Sequence, residues 1–404
     1  MSDVSLFFDQ HPASDISLSM DNITHSLVGL AAAKAGLERV SPGATALCVI
    51  AANAPDADIL ALFGGRWTYL HHHRGITHSI IGTLILALLI PTLFCAGDLI
   101  AARAAHRPPR LKFRGLLLAS LIVSASHPLM DWTNNYGVRP LLPWSGQWFY
   151  GDLVFIVDPW IWLVVGGSAF LLTAQGKWRV ALWALFALAI TAAILFLPLR
   201  SAALVNPYLF RALWVAGLVS LFLAYRARIG ERWGNSIALA ALALVVVYWG
   251  GLAFAHTRAL AQARTVSNRL AAEHGETLNR MAAMPTFASP FNWRCVLDTN
   301  RAVYRFDLLL SVMGEGSLRD VARFEKPEGT EAQIVTRAAD DGRAEIFLNF
   351  ARFPVARIEG DCLSRTLVQF ADLRYTDPGA SPTGSFSLEV PVACPTASVE
   401  TSEK

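Results

Sequence analysis

The sequence predicts an all-α polytopic membrane bundle of about six to eight helices, followed by a small β-rich soluble domain. Of the 404 residues, 54% are hydrophobic and only 16% are charged, whereas an ordinary soluble protein has about 25% charged residues. The mean hydropathy is +0.41. Apolar residues form long runs before residue 256, and after residue 285 they alternate with polar residues in short runs.

Several apolar runs have lengths close to the roughly 20 residues that cross a bilayer as a helix. They are residues 80–102, 116–130, 153–173, 180–199, 209–225 and 237–255. Two shorter runs, 27–35 and 44–54, are joined by a polar turn and predict a short helical hairpin packed inside the bundle. Residues 1–20 are mixed and polar, so we expect a tail there rather than a cleavable signal peptide.

The basic residues of the short loops predict the orientation of the bundle. Loops 103–114, 175–179 and 226–233 are rich in Lys and Arg, and such loops stay on the cytoplasmic side. Threading the runs alternately through the membrane places all three loops on that side. Residues 71–79, residues 131–152 and the chain after residue 256 are then extracytoplasmic.

The chain after residue 256 changes character. Residues 257–284 have helical spacing with scattered charge and predict a helical linker. Residues 285–395 predict a β-rich domain, because short alternating runs are separated by Gly, Pro and Asp. These runs are AVYRFDLLLSV, AEIFLNFARF, TLVQFADLRY and SFSLEV. Residues 396–404 predict a tail.

Three cysteines fall in the predicted β-rich domain: Cys295, Cys362 and Cys394. On the outer side of a bacterial membrane, two of them could form a disulfide. The odd number leaves free, partly buried thiols as an equal alternative.

Five short motifs between residues 21 and 160 place His or Asp at the ends of the apolar segments. They are DNITH (21–25), NAPDAD (53–58), HHHRGITHS (71–79), SHPLMDW (126–132) and the pair GD and DPW (151–152 and 158–160). Under the predicted orientation, all five lie at the same membrane face. Because ionisable groups near lipid are costly and are usually functional, their common location indicates a site.

The residue types in these motifs predict a metal site. His127 and Asp131 are four residues apart, so a helix presents both on one face. Imidazole and carboxylate ligands without cysteine suit zinc, the usual occupant, with manganese and iron as alternatives. Thr77 and Ser79 are expected to cap the next helix and orient the ligands. We expect one or two divalent ions, with the ligands His25, Asp56, His73, His78, His127 and Asp131.

Charged residues beside these ligands predict catalytic roles for Asp58, Arg74 and Asp152. Arg74 suits either a headgroup anchor or a donor fork for a phosphate. Asp58 and Asp152 suit a general base or a group that orients a ligand. His71 and His72 fit interfacial positions.

The motifs NAPDAD, HRGITHS and SHPLMDWTNNYGVRPLLPW resemble those of the bacterial membrane-bound metal-dependent hydrolases of the YdjM type, over about residues 21–160. The resemblance implies an inner-membrane location and leaves 161–256 as additional transmembrane helices.

That family is similar in turn to zinc-dependent phospholipases C and single-strand nucleases, which hold three zinc ions. Their ligand order of His, Asp, His and HxxxD corresponds here to His25, Asp56, His78, His127 and Asp131. The soluble enzymes add a further HxxxE or HxxxD helix, and no such motif follows residue 131 in this sequence. A mono- or dinuclear site is therefore expected.

A metal close to lipid headgroups, with Arg74 beside it, predicts hydrolysis of a phosphoester in a lipid or another amphiphile by metal-activated water. The expected partners are the bilayer and this substrate, with no nucleic acid, and the oligomeric state is open. The alternative is a metal-binding or metal-transporting membrane protein without hydrolase activity, although ligands at helix ends disfavour a transport path. A second alternative makes the C-terminal domain a sensor or binding module tethered by the bundle.

Overall fold

The computed structural model describes residues 12–196, 207–311, 316–360, 366–379 and 386–393. Cys362 and Cys394 lie outside these residues, as do the predicted disulfide options that involve them and the predicted tail 396–404. Cys295 is a buried, free thiol.

Helices occupy the described chain up to residue 273. They are α1 (Pro12–Lys34), α2 (Ala44–Asn53), α3 (Arg66–His72), α4 (Ile80–Ala104), α5 (Phe113–Trp132), α6 (Pro159–Ile161), α7 (Gly167–Thr173), α8 (Lys177–Phe196), α9 (Pro207–Arg226), α10 (Ile229–Trp233) and α11 (Asn235–Glu273). A π-helix, Trp162–Gly166, joins α6 to α7. Since α1 begins at Pro12, part of the predicted tail 1–20 is helical.

Six segments of the described chain are long and apolar enough to cross a membrane, which confirms the predicted bundle. They are Ala44–Gly64, Ile80–Ala104, Phe113–Trp132, Lys177–Ile194, Tyr208–Arg226 and Asn235–Glu273. The second arm of the predicted short hairpin reaches this length because a 3-10 helix, Ala54–Gly64, extends α2.

The predicted span 153–173 is shorter than expected, since only Pro159–Thr173 is helical. Asp158 sets this start, because its carboxylate accepts hydrogen bonds from the backbone N–H groups of Trp160 and Ile161. Such a cap satisfies backbone donors that have no partner inside the helix.

Contacts between turns show which ends of the helices lie together. The Arg39 guanidinium donates to the Asn235 side chain at 2.7 Å, and the backbone N–H of Lys112 donates to the Ser41 hydroxyl at 2.9 Å. The turn between α1 and α2, the loop before α5 and the turn before α11 therefore share one end of the bundle. Two of the three loops predicted to lie on one side are thus next to the same turn.

Two antiparallel sheets dominate the C-terminal part and confirm its β-rich character. The first contains β1 (Leu278–Thr286), β2 (Ser289–Thr299), β3 (Ala302–Leu309) and β4 (Ser317–Glu325), paired in sequence order, and the second contains β5 (Pro354–Glu359), β6 (Thr366–Asp372) and β7 (Ser387–Val392). Helices α12 (Gly329–Ala339) and α13 (Gly342–Phe350) stand between the sheets in the sequence.

The helical linker predicted over 257–284 is shorter than expected, because α11 ends at Glu273 and β1 already begins at Leu278. The run AEIFLNFARF, predicted as a strand, is largely α13, in which Ala344, Phe347 and Phe350 are buried. Their spacing of three residues is the helical period, which outweighed the local alternation.

The first sheet is packed on both faces. One face meets α11, where Ala259, Ala263 and Leu270 contact Trp293 and Tyr304 among others. The opposite face packs against the second sheet. The helix that leaves the bundle is therefore also a core element of the C-terminal domain.

Candidate metal centre

Separate elements deliver the predicted ligands to one buried point. His25 comes from α1, Asp56 from the 3-10 helix after α2, and His78 from a 3-10 turn, Ile76–His78, before α4. His127 and Asp131 lie one turn apart on α5. Of these side chains, Asp56 is the most open, at 16% exposure, while His25, His78, His127 and Asp131 are buried.

Four of the ligand atoms are spaced as a metal ion requires. The Nε2 atom of His78 lies 3.1 Å from Nε2 of His127, 3.3 Å from Oδ1 of Asp56 and 3.2 Å from Oδ2 of Asp131. The Nε2 atom of His127 is 3.4 Å from each of those two carboxylate oxygens. Ligands about 2.0–2.1 Å from a tetrahedral zinc ion are about 3.3 Å apart, so this donor set fits such an ion.

Hydrogen bonds on the far side of each imidazole fix which nitrogen faces the centre. The Nδ1 atom of His127 is 2.6 Å from the carbonyl oxygen of Ala52, which can only accept, so Nδ1 carries the proton. The Nδ1 atom of His78 lies 3.1 Å from the Thr77 hydroxyl and 3.4 Å from Oδ2 of Asp58. With both outer nitrogens so held, the Nε2 atoms face the centre, where two neutral rings would present their lone pairs to a shared cation.

A proton competes with a metal ion for His78. Burial would lower the pKa of this imidazole, but hydrogen bonds to the carboxylates of Asp131 and Asp56 outweigh burial and raise the pKa. Since a ligating imidazole must be neutral, metal affinity should fall as the solution becomes acidic.

The second oxygen of Asp131 faces two further groups. Its Oδ1 atom is 3.3 Å from Nε2 of His25 and 3.0 Å from Nη2 of Arg74. The His25 ring stacks on His127, with ring centroids 3.7 Å apart. Asp131 thus joins the four-atom group to His25 and to a buried guanidinium.

Asp58 and His73 form a second group that shares Asp56 with the first. The Nδ1 atom of His73 is 3.2 Å from Oδ1 of Asp58, and the Arg74 backbone N–H donates to Oδ2 of Asp58 at 2.9 Å. His73 is therefore adjacent to the four-atom group rather than part of it. Asp58 orients both His73 and His78.

Arg74 occupies a different environment from the one the sequence suggested. Its side chain is only 2% exposed. Besides Asp131, it donates to Oδ1 of Asn134 at 2.9 Å and lies 4.7 Å above the Tyr136 ring. A guanidinium engaged in this way supports the site from inside and is not an exposed headgroup anchor, while its contact with a substrate phosphate stays a prediction.

The remaining predicted positions lie around this centre. Asp152 pairs with Arg352 of the C-terminal domain, at 2.8 Å, instead of joining the ligand group. His71 and His72 are exposed. The Ser79 hydroxyl accepts from the backbone N–H of Gly82 at 3.1 Å and caps α4, as predicted.

Asn134 and Tyr136 were missed by sequence reasoning. They follow Asp131 in the stretch DWTNNYG, where an amide and an aromatic residue directly after a ligand helix were the available signal. Asn134 accepts from Arg74 and also from the backbone N–H of Tyr136, at 2.9 Å. These two residues fix the loop that closes over the buried guanidinium.

The open side of the centre is bordered by apolar surface. Asp56 lies on the 3-10 helix whose Ile59, Leu60 and Phe63 side chains are exposed, the last at 91%. Ile76 and Ile80, beside His78, are exposed as well. An apolar rim of this kind on a membrane protein suits contact with lipid.

Comparison with known proteins identifies the family. The protein-family model described as YdjM inner membrane protein matches residues 20–203. Over 132 residues the chain is 33% identical to inner membrane protein YbcI of Escherichia coli (strain K12), a match that covers 32% of this chain and 70% of YbcI. Over 154 residues it is 27% identical to YfhP of Bacillus subtilis (strain 168), covering 36% of this chain and 43% of YfhP. No solved structure was found to match.

The family match contains every element that contributes to the metal centre and ends before α9. None of these comparisons tests the expected similarity to zinc-dependent phospholipases C, which stays a prediction. The matched region and its relatives show that this chain belongs to the YdjM family of inner membrane proteins.

Proposed function

We propose that this protein is a membrane-embedded, metal-dependent hydrolase that cleaves a phosphoester of a lipid or another amphiphile. The observation that carries the proposal is the four-atom group of His78, His127, Asp56 and Asp131, which is spaced for a divalent ion and open only on its Asp56 side within the described surroundings. The apolar rim at that opening favours a substrate that arrives from the bilayer.

The residues would divide the work as follows. His78, His127, Asp56 and Asp131 would hold the ion, with His25 next to Asp131. When bound, a divalent metal supplies Lewis acidity and lowers the pKa of a coordinated water toward neutrality. Asp58 contacts the His73 and His78 rings, and the Asp58–His73 pair would accept and pass on a proton. Asp56, the most exposed of the four, marks the face at which the substrate would approach.

Metal analysis of the purified protein tests the binding step. We expect wild-type protein to retain close to one equivalent of zinc or a similar ion. His127→Ala and Asp131→Ala should each lose most of it, because removal of one ligand opens a preformed coordination sphere. The matched control is His72→Ala, which removes an exposed imidazole from the same segment and should leave the metal content unchanged. Equal metal in all four proteins would exclude this centre.

Turnover in mixed micelles tests the hydrolase step. Lipid phosphoesters should be cleaved by the metal-loaded protein, and chelation should abolish cleavage until the metal is returned. A soluble phosphoester with the same headgroup should be a poorer substrate if the apolar rim takes part. Stoichiometric metal with no turnover of any lipid phosphoester would favour the metal-binding alternative instead.

A further inference from the structure

The C-terminal domain holds the loop beside the metal centre through a buried arginine. Arg374, directly after β6, is 3% exposed. Its guanidinium donates to the backbone carbonyls of Asn135 at 2.8 Å and Tyr136 at 3.2 Å, both in the loop that follows α5. It also donates to the Phe350 carbonyl at 3.0 Å, and it pairs with Asp372 at 2.7 Å. Buried carbonyls and a buried charge therefore satisfy one another across the boundary between domain and bundle.

Tyr136 links this contact to the metal ligands. Its ring lies under the Arg74 guanidinium, 4.7 Å away, and next to the His73 ring, with centroids 5.4 Å apart. It also packs on Phe350 of the C-terminal domain, with centroids 4.7 Å apart. The ring therefore contacts both the residues beside the ligands and the domain that follows the bundle.

A second ion pair holds the same loop region. Arg352 makes two hydrogen bonds to the Asp152 carboxylate, at 2.9 and 2.8 Å. The neighbouring Gly151 donates its backbone N–H to the Trp132 carbonyl at the end of α5, at 2.7 Å. This contact reaches the helix that carries His127 and Asp131 without passing through Tyr136.

From these contacts we infer that the C-terminal domain supports the metal centre through the loop that follows α5, and that Arg374 is a positioning residue for the metal ligands. It acts through Tyr136 and Arg74 on Asp131. This assigns a role to a part of the chain that lies outside the family match. The inference rests on the proposed function to the extent that the centre must bind a metal.

The test compares zinc affinity in variants of the full-length protein. The double variant Asp372→Asn with Arg374→Gln removes the positioning pair without leaving a lone buried charge. Its control, Arg305→Gln with Asp377→Asn, removes another Arg–Asp ion pair, more exposed, that lies within the C-terminal domain. Arg374→Lys keeps a charge for Asp372 but lacks the fork that reaches several carbonyls. Zinc dissociation constants are measured by chelator competition on monodisperse, detergent-purified protein.

We expect the Asp372/Arg374 double variant to bind zinc about 10-fold more weakly or worse, as for other groups that support metal ligands. Arg374→Lys should rescue it in part, and the Arg305/Asp377 control should match wild type. If the double variant does not fold, Phe350→Leu takes its place with the same expected direction, because it removes the ring that packs on Tyr136 and lies under Arg374 and leaves the Asp372–Arg374 ion pair intact. A folded variant with wild-type zinc affinity would overturn the inference alone, whereas wild-type protein without zinc would overturn the proposed function as well.

Discussion

A buried arginine at position 74 is the residue on which the site depends most directly without providing a ligand. Its guanidinium is shared between the Asp131 carboxylate and the Asn134 side chain. Removing one partner of a buried, charged contact typically costs about 3–5 kcal/mol, because the other charge stays buried without compensation. Arg74 and Asp131 therefore have to be considered as a pair.

We predict that Arg74→Gln lowers both zinc affinity and thermal stability, because Asp131 would lose its cationic partner. Arg74→Lys should retain part of both, since an ammonium can pair with Asp131 but cannot also reach Asn134 in a planar fork. Zinc content and melting temperature of the purified variants measure the two effects. Arg107→Gln, which removes a part-buried ion pair with Asp98 near the end of α4, is the control and should leave the metal in place. Unchanged zinc affinity in Arg74→Gln would show that Asp131 does not need this partner.

The sequence indicated the grouping of the candidate ligands better than it indicated the residues that support them. The types and spacing of His78, His127 and Asp131 already indicate a metal, because few other reasons place such groups at helix ends near lipid. The role of Arg74 depends on the loop that follows α5, which closes over it. That closure involves Arg374, more than 200 positions away in the chain, so no local pattern could show it.

At the scale of elements, a single glycine allows the turn that carries His78 to lie against α4. A Cβ atom added at Gly82 would be 1.8 Å from the carbonyl oxygen of Ile76. Any side chain at this position must therefore push the Ile76–His78 turn away from the helix. The position of the His78 ring is set by this close approach.

Gly82→Ala should reduce zinc affinity and destabilise the protein, since overpacking typically costs about 1–3 kcal/mol. The measurement is zinc dissociation together with the melting temperature. Gly97→Ala offers a control on the same helix, where an added Cβ meets no atom within 4 Å. It should be neutral or slightly stabilising, because Ala favours a helix over Gly. Equal zinc affinities in the two variants would mean that the turn can shift without moving the ligand.

Long elements could be predicted from the sequence, and short ones depended on context. Apolar length alone identified α4, α5 and α11, because each contains an apolar run close to the length that crosses a bilayer as a helix. In α13 the apolar residues around Phe347 fit both the two-residue period of a strand and the period of a helix. The helix forms because it packs its apolar face against β6 and β7. The start of α6 depended on a single cap at Asp158, which a hydrophobicity pattern does not register.

At the scale of the whole molecule, the metal centre and the C-terminal domain lie at the same end of the bundle. The contacts of Arg352 with Asp152 and of Arg374 with the loop after α5 show this. The basic turns lie at the other end, where Arg39 meets Asn235. Since Lys and Arg in short loops favour the cytoplasm, we propose that the centre and the domain are extracytoplasmic.

A reporter tag at residue 108 should therefore behave as cytoplasmic, and one at residue 330, at the start of α12, as extracytoplasmic. Both positions are exposed, so a tag disturbs little packing. Labelling of intact cells with a membrane-impermeant reagent distinguishes the sides. The reverse result would place the metal centre in the cytoplasm, and two tags on one side would require a different number of spans.

Helix α11 is 39 residues long and unbroken, or about 58 Å at 1.5 Å per residue. It is anchored in the bundle by Val245 and Leu252, and in the domain by Ala259 and Ala263. The angle at which the domain meets the bundle therefore depends on how many residues of α11 separate the two sets of anchors. One residue inserted between those anchors would turn the domain by about 100° and carry Arg374 away from the loop, although every span would keep its apolar length. Four inserted residues would nearly restore the angle but leave the facing surfaces of the domain and the bundle about 6 Å further apart along the axis. The number of residues between the anchors of α11 therefore sets both the orientation and the distance of the domain.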